Sequence, residues 1–306
     1  MSRSWIGIIL AVAVLVLAAA LLARALGRYD LEEVGAALVR LPWRQLIAAA
    51  LFTLASYALL TAVDFMAIRY AGRRLSYPKV ALASFIALSI GHSLGFAALS
   101  SGAVRFRFYR RWGLSVGEIA RVLVFCGLTV LLGYSTVGGI ALAASADWLP
   151  KLTQVPHGML LPISVLALSV PVLYFSAVWL ARPVRLGRFH LAPPAPALAL
   201  GQLAAGGLDV LFVSGVLHQS LGGAEALPYG TVLTVYIAAA VAGMLAHVPG
   251  GLGVVEAVML AALPGPQTLA GLVAFRAIYY LIPLGLGGVA LGAFELAIRS
   301  RARTPR

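Results

Sequence analysis

Composition and the spacing of apolar stretches predict an all-α polytopic membrane protein. Of its 306 residues, 61% are hydrophobic and only 11% are charged, where a soluble domain carries about a quarter charged residues. The mean hydropathy is +0.97. Apolar stretches of spanning length lie at 5–26, 45–68, 114–146, 159–181, 195–221 and 268–294, which gives about six spanning helices. Two further stretches, 78–101 and 229–264, are apolar but interrupted. No polar block approaches the roughly 100 residues of a soluble catalytic domain, so function must sit in the membrane and its short loops.

The first stretch, 5–22 at its most apolar, is too long for the core of a signal peptide and is read as an uncleaved transmembrane helix. The linker at 27–44 sets Asp30, Glu32 and Glu33 among Leu31, Val34, Leu38 and Leu41. That pattern fits a short interfacial amphipathic helix ending at Pro42, with Trp43 at headgroup level. The net charge of +13 comes from arginines at the ends of apolar segments. This is the positive-inside pattern, not an aromatic-interleaved patch for bases, and nucleic acid is excluded as a partner. Cys126 is the only cysteine, and the five histidines are not at metal-ligand spacing. Neither a disulfide, a metal site nor a cofactor is expected, and Cys126 is read as a buried thiol.

Loop charge then sets topology. Arg73, Arg74 and Lys79 place one loop in the cytoplasm, and Arg105, Arg107, Arg110 and Arg111 claim the same side for the next. A single span between them would export four arginines, so 78–101 is expected to form a re-entrant hairpin turning near Gly91, His92 and Gly95. The 147–158 loop is nearly neutral and outside; Arg182, Arg185 and Arg188 are inside; 222–228 is outside; and Arg299, Arg301, Arg303 and Arg306 are inside. Both termini are therefore cytoplasmic. The stretch 229–263 begins and ends outside, with the break HVPGGLG at its middle, and becomes a second re-entrant hairpin. Helix, helix with an internal Asp, hairpin with an internal His, helix then occurs twice. Asp64 and His92 mark the first copy, Asp209 and His247 the second. This gives a single transmembrane domain at 1–298, with inverted repeats at 1–146 and 147–298 and a basic tail at 299–306. Opposed repeats with broken helices are an architecture of alternating access.

Ionisable groups at membrane depth cost on the order of 2.5–3.5 kcal/mol each, so each requires a reason. Asp64, His92 and Asp209 are candidates for a pathway or for ion coupling; for Asp64 a structural pair with an arginine near the cytoplasmic interface is the favoured reading, and for Asp209 a buried structural pair is the equal alternative. Asp64 has Arg69 nearly on its own helix face. Around the second break, Pro249, Gly250, Gly251 and Gly253 interrupt the helix, and His247 and Glu256 flank it. A helix starting near Gly251 points free N–H groups into the break, where they suit an anion. Glu256 either captures a cationic headgroup or holds Arg276 in place. Arg276 lies mid-helix in AFRAIYYLIPLG, followed by Pro283 and by Tyr279 and Tyr280, tyrosines read as packing residues with hydrogen-bonded hydroxyls. Its guanidinium suits bidentate phosphate recognition or a permanent pair with Glu256. Arg105 and Arg107 alternate with Phe106 and Phe108, as in a segment lying against phosphate headgroups. Ser115 and Glu118 form a capping box, His218 is an interfacial residue, and Gly288 and Gly292 allow close helix packing. No phosphate loop, HExxH sequence or nucleophile triad is present.

HVPGGLGVVE followed by FRAIYYLIPLG, with GHSLGFAALSSGAVRFRFYRRWGLS upstream, resembles the transmembrane domain of the lysylphosphatidylglycerol synthase/flippase family, also called the flippase-like domain. The resemblance spans essentially the whole chain. In the two-domain relatives, the multiple peptide resistance factors, this part is linked to moving aminoacylated phosphatidylglycerol between leaflets, and a separate cytoplasmic domain transfers the amino acid from tRNA. The resemblance implies a stand-alone member lacking that synthase domain, and so no enzyme. Carried over by motif position, it implies a cavity lined by Arg105, Gly250, Gly251, Glu256, Arg276 and Tyr280; it assigns nothing to His92 or to Asp64 and Asp209. His247 joins the set from its place beside the break.

The expected function is translocation of a phospholipid or other phosphate-bearing lipid between leaflets of the bacterial inner membrane. The alternatives are a noncatalytic membrane partner of a lipid-synthesising enzyme, or an ion-coupled transporter of a small solute. Membrane phospholipid is the expected partner, a lipid-synthesising enzyme the partner under the first alternative, and self-association into a homo-oligomer stays open. The hairpin topology predicts that Arg110→Cys in intact cells reacts with a membrane-impermeant maleimide only after the cytoplasmic face is opened. Labelling from the periplasm would remove the first hairpin and the inverted repeat with it.

Overall fold

The computed structural model describes residues 31–94, 97–152, 156–180, 184–186, 189–191, 193–246 and 249–303. The expected first helix at 5–26, the turn residue Gly95 and His247 lie outside them. Helix α1 (Leu31–Val39) is the expected amphipathic linker helix. Pro42, in the extended conformation, then opens α2 (Trp43–Tyr70), since its fixed φ and missing N–H suit a helix start. Trp43 is exposed at that end, with the Arg44 guanidinium over its ring.

The interrupted stretch that follows is two helices, α3 (Tyr77–Leu94) and α4 (Ala97–Arg111). Joined through only two residues, they fold back and pack along each other. The second arm runs further than expected. Arg105, Arg107, Arg110 and Arg111 lie on α4 itself and not in a loop after it. Next come α5 (Val116–Ala144), opened by the Ser115/Glu118 capping box with bonds of 2.7 and 3.2 Å, the short α6 (Leu149–Leu152) and α7 (His157–Trp179). Strands β1 (Val184–Leu186) and β2 (Phe189–Leu191) form a small antiparallel hairpin with Arg185 opposite His190, where only a basic loop was expected.

Helix α8 (Pro196–Ser220) leads to a second interrupted stretch. Its arms are α9 (Tyr229–Leu245) and α10 (Val254–Ala262), which pack against each other around the turn at Pro249–Gly251. The last apolar run holds α11 (Pro266–Phe275), a π-helical segment Arg276–Leu281, and α12 (Ile282–Arg303). Among the described residues, five helical runs are long and apolar enough to cross a membrane: α2, α5, α7, α8 and Pro266–Ala297. Half of the most apolar window of α8 is buried, against 17% in α7. α8 is therefore the central helix, touching α2, α5, α7, α9 and α11, and α7 is peripheral.

Loop contacts sort the molecule into two ends. At one, Arg73 beyond α2 donates to the Gly113 carbonyl beyond α4 (2.7 Å) and approaches Glu118 of α5 (3.8 Å); Arg107 pairs there with Glu295 of α12 (2.5 Å). The hairpin α3–α4 therefore begins and ends on one side. At the other end Gln45 donates to the Gly222 carbonyl (2.6 Å), and Gly271 of α11 lies against Ser220 and Leu221. Buried apolar residues form two clusters. One joins the first half of α2 to α8, α9, α10 and α11, the other joins its second half to α3, α4, α5 and α12.

Helix α5 crosses α8 almost backbone to backbone. A Cβ on Gly206 would stand 2.2 Å from the Thr129 carbonyl oxygen, and one on Gly133 would stand 2.2 Å from the Gly206 carbonyl oxygen. Gln202 ties the same crossing by donating to the Phe125 carbonyl (3.1 Å) and Thr129 Oγ1 (3.2 Å), while Tyr174 of α7 donates to its oxygen. The expected close packing at Gly288 and Gly292 moves by a residue: Gly287 meets Ser89 of α3, and Gly292 faces open space. Because a backbone clash can be relieved only by parting the helices, overpacking of about 2 kcal/mol is expected at Gly206. Gly206→Ala should lower the thermal midpoint in detergent by on the order of 5 °C. Gly207→Ala, whose Cβ would make an ordinary 3.5 Å contact, should leave it near wild type.

Candidate functional site

The second break is built by backbone geometry that glycine permits. Gly250 has φ +55° and Gly253 φ +82°, left-handed values that L side chains rarely adopt. Gly250 also sits where the two hairpins touch. A Cβ there would be 3.2 Å from the His92 carbonyl oxygen and 3.6 Å from Arg276 Nη1. The end of α3 thus abuts the turn between α9 and α10. Gly251 is half-buried beside it.

Arg276, at the start of the π segment, reaches into this junction. It is 7% exposed. Its Nε donates to Glu256 Oε1 (2.7 Å), its Nη1 to the Gly250 carbonyl (2.5 Å), and its Cζ lies 4.7 Å from the centre of the Tyr280 ring. Glu256 uses its other oxygen to accept the Gly253 N–H at the start of α10 (2.6 Å). Of the two roles left open for Glu256, the geometry realises the one that holds Arg276. The free helix end expected to bind an anion is capped by this carboxylate from within. One donor remains: Arg276 Nη2 is buried with no hydrogen-bond partner among the described residues. An unsatisfied donor of a charged group costs more than the about 1–3 kcal/mol of a neutral one, so Nη2 calls for an acceptor beyond the described residues.

Beside this junction lies a cluster of aromatic and hydroxyl groups. Tyr279 stacks on Phe275 and on His92, and Tyr57 packs edgewise or tilted on His92 and Tyr279. Pro283 lacks the N–H that would bond the Tyr279 carbonyl four residues earlier, and the Tyr57 hydroxyl donates to that oxygen instead (3.3 Å). The Tyr57 hydroxyl is also 3.4 Å from His92 Nδ1. On the far side, Ser56 donates to Asp209 Oδ1 (2.6 Å) and shares a hydrogen with the Tyr279 hydroxyl (3.1 Å). His92, Tyr134, Asp209 and Tyr280 are half-buried although they stand on central helices.

Asp64 and Arg105 form a separate centre. Arg105, 4% exposed, donates through Nε to both carboxylate oxygens of Asp64 (2.8 and 3.2 Å). Tyr109 and the Cys126 thiol complete the carboxylate shell at 3.2 and 2.9 Å. Arg105 therefore turns inward from the headgroup surface where its alternation with phenylalanine suggested it would lie. Arg69, the partner suggested by helix position, lies over the Phe65 ring at 4.7 Å. Cys126 gains a partner that its apolar neighbours did not announce. His218 is structural, its Nε2 bonded to the Leu227 carbonyl (2.9 Å) and its ring edge-on to Tyr229. Ser56 and Tyr57 sit in an ordinary apolar run that gave no signal; Tyr279, expected as a packing residue with a hydrogen-bonded hydroxyl, has Ser56 as that hydroxyl's partner.

An uncharacterized protein of Synechocystis sp. is 35% identical over 255 residues, covering 82% of this chain and 79% of that protein. The inner membrane protein YbhN of Escherichia coli is 31% identical over 246 residues, covering 78% and 76%. The chain belongs to the YbhN family. No family model matches it. A more distant likeness, 24% over 256 residues, links it to the phosphatidylglycerol lysyltransferase of Staphylococcus xylosus; it takes in 81% of this chain but only 29% of that protein. The matched part is a membrane domain, and the YbhN relation agrees with a polytopic protein of bacterial membranes.

The buried pair makes a stability prediction. Breaking one partner of a buried ion pair costs about 3–5 kcal/mol, whereas replacing both by apolar residues is often neutral. Asp64→Leu and Arg105→Met alone should each abolish or strongly weaken folding in detergent, and the double variant should recover much of the lost thermal stability. Additive losses would mean that the pair is not the dominant interaction there.

Proposed function

We propose that this protein is a lipid translocase of the bacterial inner membrane that moves a phospholipid between leaflets, with the lipid phosphate received by Arg276. The observation that carries the proposal is the buried Nη2 of Arg276, unpartnered among the described residues and positioned where the broken ends of both hairpins meet. A guanidinium with one free edge, one edge fixed by Glu256 and Gly250 and its face on Tyr280 is pre-organised for a planar oxyanion. Half-buried Tyr280, His92, Tyr134 and Asp209 would line the polar route past it, and Gly251 would border it from the second break. Arg105 supports the route from the side by holding α4 against α2 through Asp64.

The contacts favour a re-entrant arrangement of both hairpins and an inverted repeat. Arg73 touching Gly113 and Glu118 puts both ends of α3–α4 at the arginine-rich end, which the positive-inside rule makes cytoplasmic, together with the end of α12. The two helices with an internal Asp, α2 and α8, pack along each other, as the central pair of a two-fold arrangement would. The first arm of each hairpin packs against the last helix of the other half: α3 on α12 and α9 on α5. The distant phosphatidylglycerol lysyltransferase relative supports lipid as cargo. Under this reading 1–298 acts as one transmembrane domain in two inverted halves, with both termini cytoplasmic.

Arg276→Lys keeps the charge beside Glu256 and removes the fork. A hydrogen bond to a charged group contributes about 1.5–3 kcal/mol, so transbilayer movement of fluorescent phosphatidylglycerol in liposomes should slow by about tenfold or more, with reconstitution unchanged. Movement at the wild-type rate would overturn the phosphate assignment. Absence of movement by the wild type, with co-purification of a lipid-synthesising enzyme, would favour a partner role.

A further inference from the structure

Three carboxylates lie among the central helices, and they are treated differently. Asp64 is neutralised by Arg105, and Glu256 by Arg276. Asp209 forms no ion pair among the described residues. Its hydrogen-bond partner is a neutral hydroxyl, Ser56 Oγ. The groups within electrostatic reach of it are Tyr57 of α2, Tyr134 of α5 and Tyr279 of the π segment. Helices α9 and α11, also packed on α8, carry no charged residue at all. A lone ionised carboxylate at this depth is disfavoured by several kcal/mol unless water or a cation reaches it. The cheapest neutralising cation is a proton. A divalent metal is a poor alternative, because no group of three or more metal-ligating side chains occurs among the described residues.

The hydroxyls around Asp209 are ordered as a relay. The Tyr279 hydroxyl and Ser56 Oγ are 3.1 Å apart, and Ser56 Oγ is 2.6 Å from Asp209 Oδ1. When Tyr279 donates to Ser56, Ser56 is free to donate to the carboxylate. A protonated Asp209 reverses the chain. Ser56 is fully buried and Tyr279 nearly so, while Asp209 itself is half-buried; the hydroxyl pair is dry and the carboxylate end is the less covered one. The ring of Tyr279 stacks on His92, the other titratable group of the cluster, and the same residue begins the last turn of the π segment next to the Arg276 phosphate site.

We propose that Asp209 is a proton-binding site that couples lipid movement to the proton gradient, with Ser56 and Tyr279 as its relay. The inference rests on the lipid translocase reading. With the cavity open to one face, a proton from water converts the carboxylate to the neutral acid, and the closed state then forms without a buried lone charge. With the cavity open to the opposite face the same proton returns to water and restores the carboxylate. One proton crosses per cycle, and Ser56 and Tyr279 end as they began.

The test uses the full chain in liposomes holding a trapped pH dye and fluorescent phosphatidylglycerol, with and without an imposed pH gradient. Coupling predicts that the gradient changes the rate of lipid movement, that lipid movement changes the internal pH, and that both responses are lost in Asp209→Asn and restored in part by Asp209→Glu. Lipid movement by the wild type that ignores the gradient and leaves the dye unchanged overturns the coupling while leaving translocation intact. If the wild type moves no lipid under any condition, the translocase reading fails, and infrared spectroscopy decides the proton site by itself. A protonated-carboxyl band that titrates with pH and vanishes in Asp209→Asn supports the site; its absence overturns it. Should Asp209→Asn fail to fold, Ser56→Ala is the substitute, with loss of the gradient response expected and an unaltered response overturning the relay.

Discussion

The guanidinium of Arg276 is the tie on which the centre of the molecule depends. A helix broken at membrane depth exposes backbone groups that lipid cannot satisfy, so the break must be closed by protein. Arg276 closes it from the last apolar run by binding the Gly250 carbonyl and Glu256, and Glu256 in turn caps the Gly253 N–H. Gly250 then rests on the carbonyl end of α3. One side chain therefore joins the second hairpin, the tip of the first and the π segment. Asp64 and Arg105 act in the same way for the first hairpin, fastening α4 to α2 with Tyr109 and Cys126 closing the carboxylate shell.

Two groups differ from the paired residues around them. Arg276 Nη2 has no hydrogen-bond partner and Asp209 no ion-pair partner among the described residues, and both border the tyrosine cluster between them. The π segment makes this juxtaposition. Its wider turn carries Arg276, Tyr279 and Tyr280 together toward the junction, a use of π-helical geometry common at functional sites. Pro283 frees the Tyr279 carbonyl, Tyr57 takes it, and the same hydroxyl reaches His92. A guanidinium edge and an unpaired carboxyl then flank one tyrosine cluster, and the proposed coupling of lipid to proton movement rests on that juxtaposition.

Legibility from sequence followed the range of the interaction involved. The long helices, the Pro–Gly break and the Ser115 cap were visible because hydropathy runs, helix breakers and capping boxes act within a few residues. The extent of α4 was misjudged because loop-charge counting locates arginines relative to the membrane and not relative to a helix end. The pair between Glu256 and Arg276 was among the alternatives, since both flank one break. Arg105 as the partner of Asp64 was not, because 41 residues separate them and a nearer arginine sat on the same helix face. Gly133 and Gly206, and the Ser56 bridge between Asp209 and Tyr279, left no local pattern at all.

Sequence by itself determined that this chain lives in a bilayer, where its apolar segments run and which segments are broken, because the solvent imposes those features on composition and on backbone hydrogen bonding. It also marked the ionisable residues that needed an explanation. Which of them are spent on one another and which remain available was decided only by tertiary structure. Pairing depends on whether two helices distant in the chain cross at the depth of both charges, and packing sets that crossing. The first Asp and the break-side Glu were neutralised by such crossings; Asp209, on the central α8, met a neutral hydroxyl instead.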